Sequence, residues 1–172
     1  METPISLFEE SGKLGMFLVG KRSPSIFNAF LNLAHEVMHT GSALSQLHRE
    51  LLGAYVSKKF GCSFCYLGHL ETASVLGGDE ARLLADHPDA ALSILFDMAD
   101  KVISNSIKED DVRSFLSKGY TEKHYEDIVY VCALFGFANR MVTGLGIEYV
   151  QRRDQHSSRY LAKGYKINQA II

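Results

Sequence analysis

Apolar residues recur three and four positions apart through most of this chain, and no stretch sustains the apolar-to-polar alternation that marks a half-buried strand. That pattern leaves an all-α fold. Ser23-Pro24 offers a helix start, serine as cap and proline in the first turn, ahead of Phe27, Phe30, Leu31 and Ala34. Ser42 is expected to cap the next helix, whose stripe is Leu44, Leu47, Leu51 and Tyr55 and which Gly61 closes. A third helix is predicted from about Cys62 to Leu76, ending at Gly77-Gly78, after which Asp79 caps a short helix to about His87. Pro88 starts another through Leu92, Leu95, Phe96, Ala99 and Ile103. Lys108 to Lys118 reads as a short amphipathic helix closed by Gly119, and Thr121 opens the longest apolar helix, about 121 to 143.

With 172 residues, 47% of them hydrophobic, the chain is long enough for one sizeable core, and no repeat or low-complexity linker divides it. Residues 1–172 are therefore expected to form a single helical domain. The end of the chain, about 151–172, is polar: Arg152, Arg153, Arg159, Lys163 and Lys166 face a single Asp154. Terminal segments of that kind are commonly solvated and partly ordered, and this is the expectation here; packing on a partner subunit is the other reading. A formal charge of -2 provides no broad basic field for nucleic acid or anionic lipid. The longest apolar run, Ile128 to Ala138, falls short of the roughly 20 residues a bilayer demands. No basic region followed by an apolar segment opens the chain, so no secretory signal is expected and a cytoplasmic location is.

Three cysteines suit a disulfide scaffold poorly, but Cys62 and Cys65 stand in a C-x-x-C pair at a predicted helix start, with His69 four residues further on. Spacings of three and four place both sulfurs and the imidazole along one helical face. The unpaired N–H groups and the dipole of a helix N-terminus stabilise a thiolate, and a neighbouring histidine can accept its proton. Such a thiolate is the nucleophile of peroxide reduction and of disulfide exchange, and its partner can close an intramolecular disulfide. If Gly61 reverses the chain into an antiparallel hairpin, Glu50 lies about 15 Å back from the turn and His69 about 10 Å beyond it, near enough to meet with a modest offset. A carboxylate there would orient the imidazole and raise its basicity. Gly53 and Ser57, on the same face as Glu50, would let the cysteine helix approach closely. Cys132, inside the apolar run 128–135, reads as a small core residue.

Glu50, then C-x-x-C twelve residues later, then x-x-x-His resembles the motif of the alkylhydroperoxidase AhpD-like family, within the carboxymuconolactone decarboxylase superfamily. The similarity extends over most of the chain. Residues 28–44 look like that family's first helix, and Ala133-Leu134-Phe135-Gly136-Phe137-Ala138-Asn139-Arg140-Met141 resembles the late helix of its peroxidase-related branch. The resemblance implies an oligomeric, all-helical AhpD-like fold and a role in antioxidant defence with no bound cofactor. It implies that Cys65 attacks a hydroperoxide and becomes a sulfenic acid, that Cys62 donates a proton and then resolves it as a disulfide, and that His69 and Glu50 relay protons. A lipoyl or thioredoxin-like dithiol protein would restore the thiols, and a peroxiredoxin is a further partner the family suggests. The chain departs from the best-known members in carrying Phe64, where they have a histidine directly before the second cysteine; this shortens the relay. Decarboxylase members of the superfamily act without the cysteine pair, whose presence argues against that chemistry.

Three other readings stand beside this one. His35-Glu36-Val37-Met38-His39 is a literal H-E-x-x-H, the zinc-binding and general-base pattern of metalloproteases, although Ser42 and Ser45 occupy the glycine and third-histidine positions of its longer form. Cys62, Cys65, His69 and Glu50 also offer two sulfurs, a nitrogen and an oxygen to a zinc or cobalt ion. Finally, a helical oligomer with the same dithiol could sense redox state without turnover.

Overall fold

The structure is a computed structural model and describes residues 7–165. Among them are nine helices and no strand: α1 (Leu7–Leu14), α2 (Phe17–Arg22), α3 (Pro24–His39), α4 (Gln46–Lys59), α5 (Ser63–Asp86), α6 (Ala90–Ile103), α7 (Glu109–Ser117), α8 (Glu122–Gly144) and α9 (Gln151–Leu161). The all-α expectation holds. No helix of the described residues is long and apolar enough to cross a membrane.

Local sequence explains most of these boundaries. Thr121 caps α8 by accepting the His124 N–H, and Asp89 caps α6 by accepting the Leu92 N–H, satisfying donors a helix start leaves open. At Gly78 the backbone of α5 breaks (φ 64, ψ -151), so the two helices expected on either side of Gly77-Gly78 abut with a kink between them. Ser42 does something other than expected. The cap of α4 is Ser45, which accepts the His48 N–H, while the Ser42 hydroxyl donates to Asp127 at 2.6 Å. Asp127, on α8, also accepts the Ala43 N–H at 2.7 Å and is paired with Lys123, so a buried carboxylate pins the α3–α4 connection to the long helix. A tertiary acceptor for that loop lies 85 positions away and leaves no local pattern.

The helix α4 lies at the centre, packed on α3, α5, α6 and α8, and its Leu51, Leu52, Ala54 and Val56 are buried with Ile128, Val131 and Phe135 of α8. Residues 60–62 join α4 to α5, closed by the Gly61 N–H on the Lys58 carbonyl and the Cys62 N–H on the Ser57 carbonyl. Gly53 and Ser57 serve a different neighbour from the one expected. A Cβ on Gly53 would lie 2.5 Å from Phe135 Cε2, and the Ser57 hydroxyl reaches Asn139 Oδ1 at 3.1 Å, so both small residues admit α8. Phe135 is large and fully buried, and only a residue without a Cβ leaves room for its ring.

The polar end also departs from expectation. It forms α9, which packs on α5, and the chain continues to a buried Tyr165; Asp154 accepts the Val150 N–H at 2.8 Å to start the helix. Residues 166–172 of that segment lie outside the described residues.

Candidate functional site

Glu50 is fully buried in α4, and a carboxylate in that setting needs a partner on each oxygen. It has both. His69 Nδ1 lies 2.6 Å from Oε2, and the Tyr165 hydroxyl donates to Oε1 at 2.8 Å. The adjacent Arg49 turns away, donating to the Val37 and Thr40 carbonyls at the end of α3. Burial lowers the affinity of its guanidinium for a proton, opposed by the charges of Asp127 and Glu50. A carboxylate can only accept, so in the pair with Glu50 the histidine carries a proton on Nδ1, and Nε2 is the ring nitrogen left outside that bond. Phe135 stands nearly perpendicular to the imidazole, 81° with centroids 4.5 Å apart, and walls it on one side.

Cys62 is the residue before the first turn of α5, in extended backbone, and Cys65 lies inside that turn; both are reduced and buried. Their environments differ. The Cys65 thiol donates to the Cys62 sulfur, and this bond, with the Cys65 N–H, the Thr143 hydroxyl and the charge of His69, outweighs burial and draws the Cys62 pKa down to about 6. That same bond and burial push Cys65 well above the ordinary thiol range. That bond thus favours the thiolate at Cys62 and the thiol at Cys65. Cys132 belongs to the core, its thiol pushed up to about 12 by burial.

Cys65 and His69 open on a pocket of about 140 Å³, between α3, α5, α8 and α9, whose wall is mainly apolar: Met16, Phe27, Phe30, Leu31, Phe64 and Val142. Phe64, at the position where a relay histidine was the comparison, is part of that wall and meets Tyr149 edge to face at 6.4 Å. Thus two of the sequence candidates, Glu50 and His69, are in contact, the two cysteines are in contact with one another, and Cys65 and His69 share the pocket. Sequence reasoning missed Tyr165, Thr143 and Phe135. A tyrosine 115 positions from Glu50 gives no spacing signal; Phe135 lay within the recognised late helix but read as one apolar residue among many.

The H-E-x-x-H residues do not assemble a metal centre. His35 and His39 stack 5.4 Å apart, and Glu36 accepts the Thr40 hydroxyl. Among the described residues, no group of three or more His, Cys, Asp or Glu side chains is arranged to hold a metal ion, Cys62, Cys65, His69 and Glu50 included.

A solved structure described as an alkylhydroperoxidase AhpD core, an uncharacterized peroxidase-related protein from Ralstonia eutropha JMP134, superposes with a TM-score of 0.71 at 24% identity, over 79% of this chain and 76% of that one. The fold is AhpD-like. An uncharacterized peroxidase-related protein from Silicibacter sp. TM1040 agrees, with a TM-score of 0.69 at 21% identity over 96% of this chain and 92% of that one. No protein-family model matches the sequence, and no curated protein does.

Proposed function

We propose that this AhpD-like protein is a thiol-dependent hydroperoxide reductase working through a Cys62/Cys65 thiol–disulfide cycle. The observation that carries the reading is the placement of Cys65 and His69 on one apolar pocket, with Cys62 held as a thiolate against the Cys65 thiol. The proton moves along that bond from Cys65 to Cys62. The Cys65 thiolate then attacks the terminal peroxide oxygen, the O–O bond breaks, and the alkoxide leaves with the proton from Cys62 to give an alcohol. Cys62, a thiolate again, attacks the Cys65 sulfenic sulfur; the S–S bond forms as hydroxide departs, takes up a solvent proton by way of His69 and leaves as water. A dithiol protein of the lipoyl or thioredoxin-like type returns two electrons and two protons. The AhpD-like and peroxidase-related names of the two structural neighbours support the reading. The site being carried on the α4–α5 hairpin, a homo-oligomeric assembly, a cytoplasmic location and a role in antioxidant defence belong to the same proposal.

A second reading is favoured by the thiolate itself. With its pKa at about 6, Cys62 is suited to attack a partner's disulfide, which is the chemistry of a dithiol adaptor serving a peroxiredoxin.

Intact-mass analysis after one equivalent of hydroperoxide, followed by alkylation and peptide mapping, tests the proposal. The expected product has lost two hydrogen atoms in a Cys62–Cys65 disulfide. Cys65→Ser abolishes peroxide consumption, and Cys62→Ser leaves a trapped sulfenic acid at Cys65. Sulfenic acid at Cys62 in the Cys65→Ser protein would reverse the two roles, and unreacted thiols in the wild type would overturn the peroxidase.

A further inference from the structure

The feature that the thiol cycle leaves unused is the path that brings Tyr165 to Glu50. After α9 the chain crosses the end of α3 as a short clasp, 162–165. Gln46 Nε2 donates to the Ala162 carbonyl at 3.0 Å and lies 2.6 Å from His39 Nε2. The Tyr165 N–H donates to His35 Nδ1 at 3.3 Å. Gly164, at φ +127, runs so close that a Cβ would lie 3.2 Å from two atoms of the His35 ring, so glycine is required both by the backbone and by the approach. The two histidines of the H-E-x-x-H motif are thus the bed on which the clasp lies.

The clasp delivers a side chain that is buried to 5% exposure, with its ring within 12° of parallel to the His69 imidazole. Its hydroxyl is 2.8 Å from Glu50 Oε1 and 3.4 Å from His69 Nδ1. A phenol has one proton to donate, and the carboxylate takes it; burial and the Glu50 charge hold that proton on Tyr165 far above the ordinary phenol range. With Oε1 occupied, the carboxylate has one oxygen left for the imidazole. The groups that surround this triplet are Arg49 on α4, Cys65 on α5, His35 on α3 and Asp154 at the start of α9.

We propose that Tyr165 is a positioning residue of the thiol site: its hydroxyl holds Glu50 in the orientation that takes the His69 Nδ1 proton and leaves Nε2 free to exchange protons with the sulfurs. This rests on the reading that His69 serves Cys62 and Cys65. The clasp makes the geometry of the pair depend on a segment remote from both in sequence.

Tyr165→Phe keeps the ring and removes the bond. In the full chain it is expected to lower kcat for hydroperoxide consumption by about 10- to 100-fold, the usual cost of losing a group that orients a reacting one, with KM little changed. The pH profile of thiol alkylation should move upward, because a poorly oriented imidazole stabilises the Cys62 thiolate less. A purely structural tyrosine would leave that profile in place. Should Tyr165→Phe fail to fold, Gly164→Ala, which lifts the clasp and keeps the hydroxyl, is read in the same two assays with the same expected direction. A folded variant with wild-type kcat and an unmoved profile overturns the proposal. A wild type that consumes no hydroperoxide overturns the peroxidase instead, and the alkylation profiles of wild type and variant still decide the role of Tyr165.

Discussion

Phe135 fills the space that Gly53 leaves open and presses the same ring, 4.5 Å centroid to centroid, on the imidazole of His69. One contact therefore couples the packing of α4 on α8 to the geometry of the candidate site. Gly53→Ala is expected to destabilise the fold by about 1–3 kcal/mol, the usual cost of forcing atoms into a filled core. Denaturant unfolding reads this as a fall in midpoint at constant m. An unchanged midpoint would mean that the ring has another place to go.

The split between the two sulfurs predicts that alkylation at Cys62 rises with pH through about 6, while Cys65 stays unreactive over the same range. Thr143→Val removes one donor to the Cys62 sulfur and should move that rise to higher pH. Because the folded-state pKa of Cys62 lies below that of an unfolded thiol, its contribution to stability is complete above the ordinary thiol range and is lost as pH falls through about 6. Rate profiles taken with peptide mapping check the assignment. A single profile shared by both residues, centred on the ordinary thiol value, would remove the thiolate from the mechanism.

Removing the acid–base pair should cost rate more than binding. Glu50→Gln preserves volume and leaves His69 Nδ1 facing an amide, and His69→Ala deletes the relay; each is expected to slow single-turnover oxidation of the thiols by about 10²- to 10⁴-fold. Rapid-quench mass analysis measures it. The double variant should lose little beyond the slower single one, since two groups acting as one unit do not add.

Asp127 anchors the residues between α3 and α4, and its loss strands two donors, the Ser42 hydroxyl and the Ala43 N–H, while the Leu44 N–H keeps the Ser42 oxygen. Asp127→Ala should cost about 1–3 kcal/mol by denaturant unfolding. Burial alone would raise this carboxyl's pKa; Lys123, Ser42 and the two N–H groups outweigh it and hold the group below the usual range. Its contribution is therefore present above the unfolded carboxyl pKa and is lost as pH falls through the lower folded value. The acid limb of the stability curve should flatten in Asp127→Ala, and a limb identical to wild type would assign acid lability to other groups.

The elements that could be read from sequence are those whose signals are local. Thr121 and the apolar run behind it placed α8 to within a residue, because a cap and a helical stripe both act over one turn. Glu50 and His69 were legible as a pair because one short turn separates their helices, so residue spacing converts directly into distance. Ser42, Gly53 and Ser57 were misassigned for one common reason. Each is small or polar in a way that suits a cap or a close approach, and which neighbour it meets is set by α8, more than 80 positions away. The arginines near Gln151 made the segment look like a solvated end, yet Asp154 provides the start of α9 and Tyr165 the anchor beyond it. A segment rich in basic residues looks unstructured when the residues that anchor it are few and widely spaced.

The clasp also orders the birth of the site. Glu50, the two thiols and His69 leave the ribosome within a span that α4 and α5 can organise, but 96 residues separate His69 from Tyr165, about 5–20 s of synthesis at about 5–20 residues per second. A nascent chain that had already paired α4 with α5 would hold Glu50 with the Tyr165 hydroxyl, one of its two donors, still missing. The histidines of α3 wait just as long for the segment that lies on them, so the Glu50 contact supplied by Tyr165 is among the last the described chain can make.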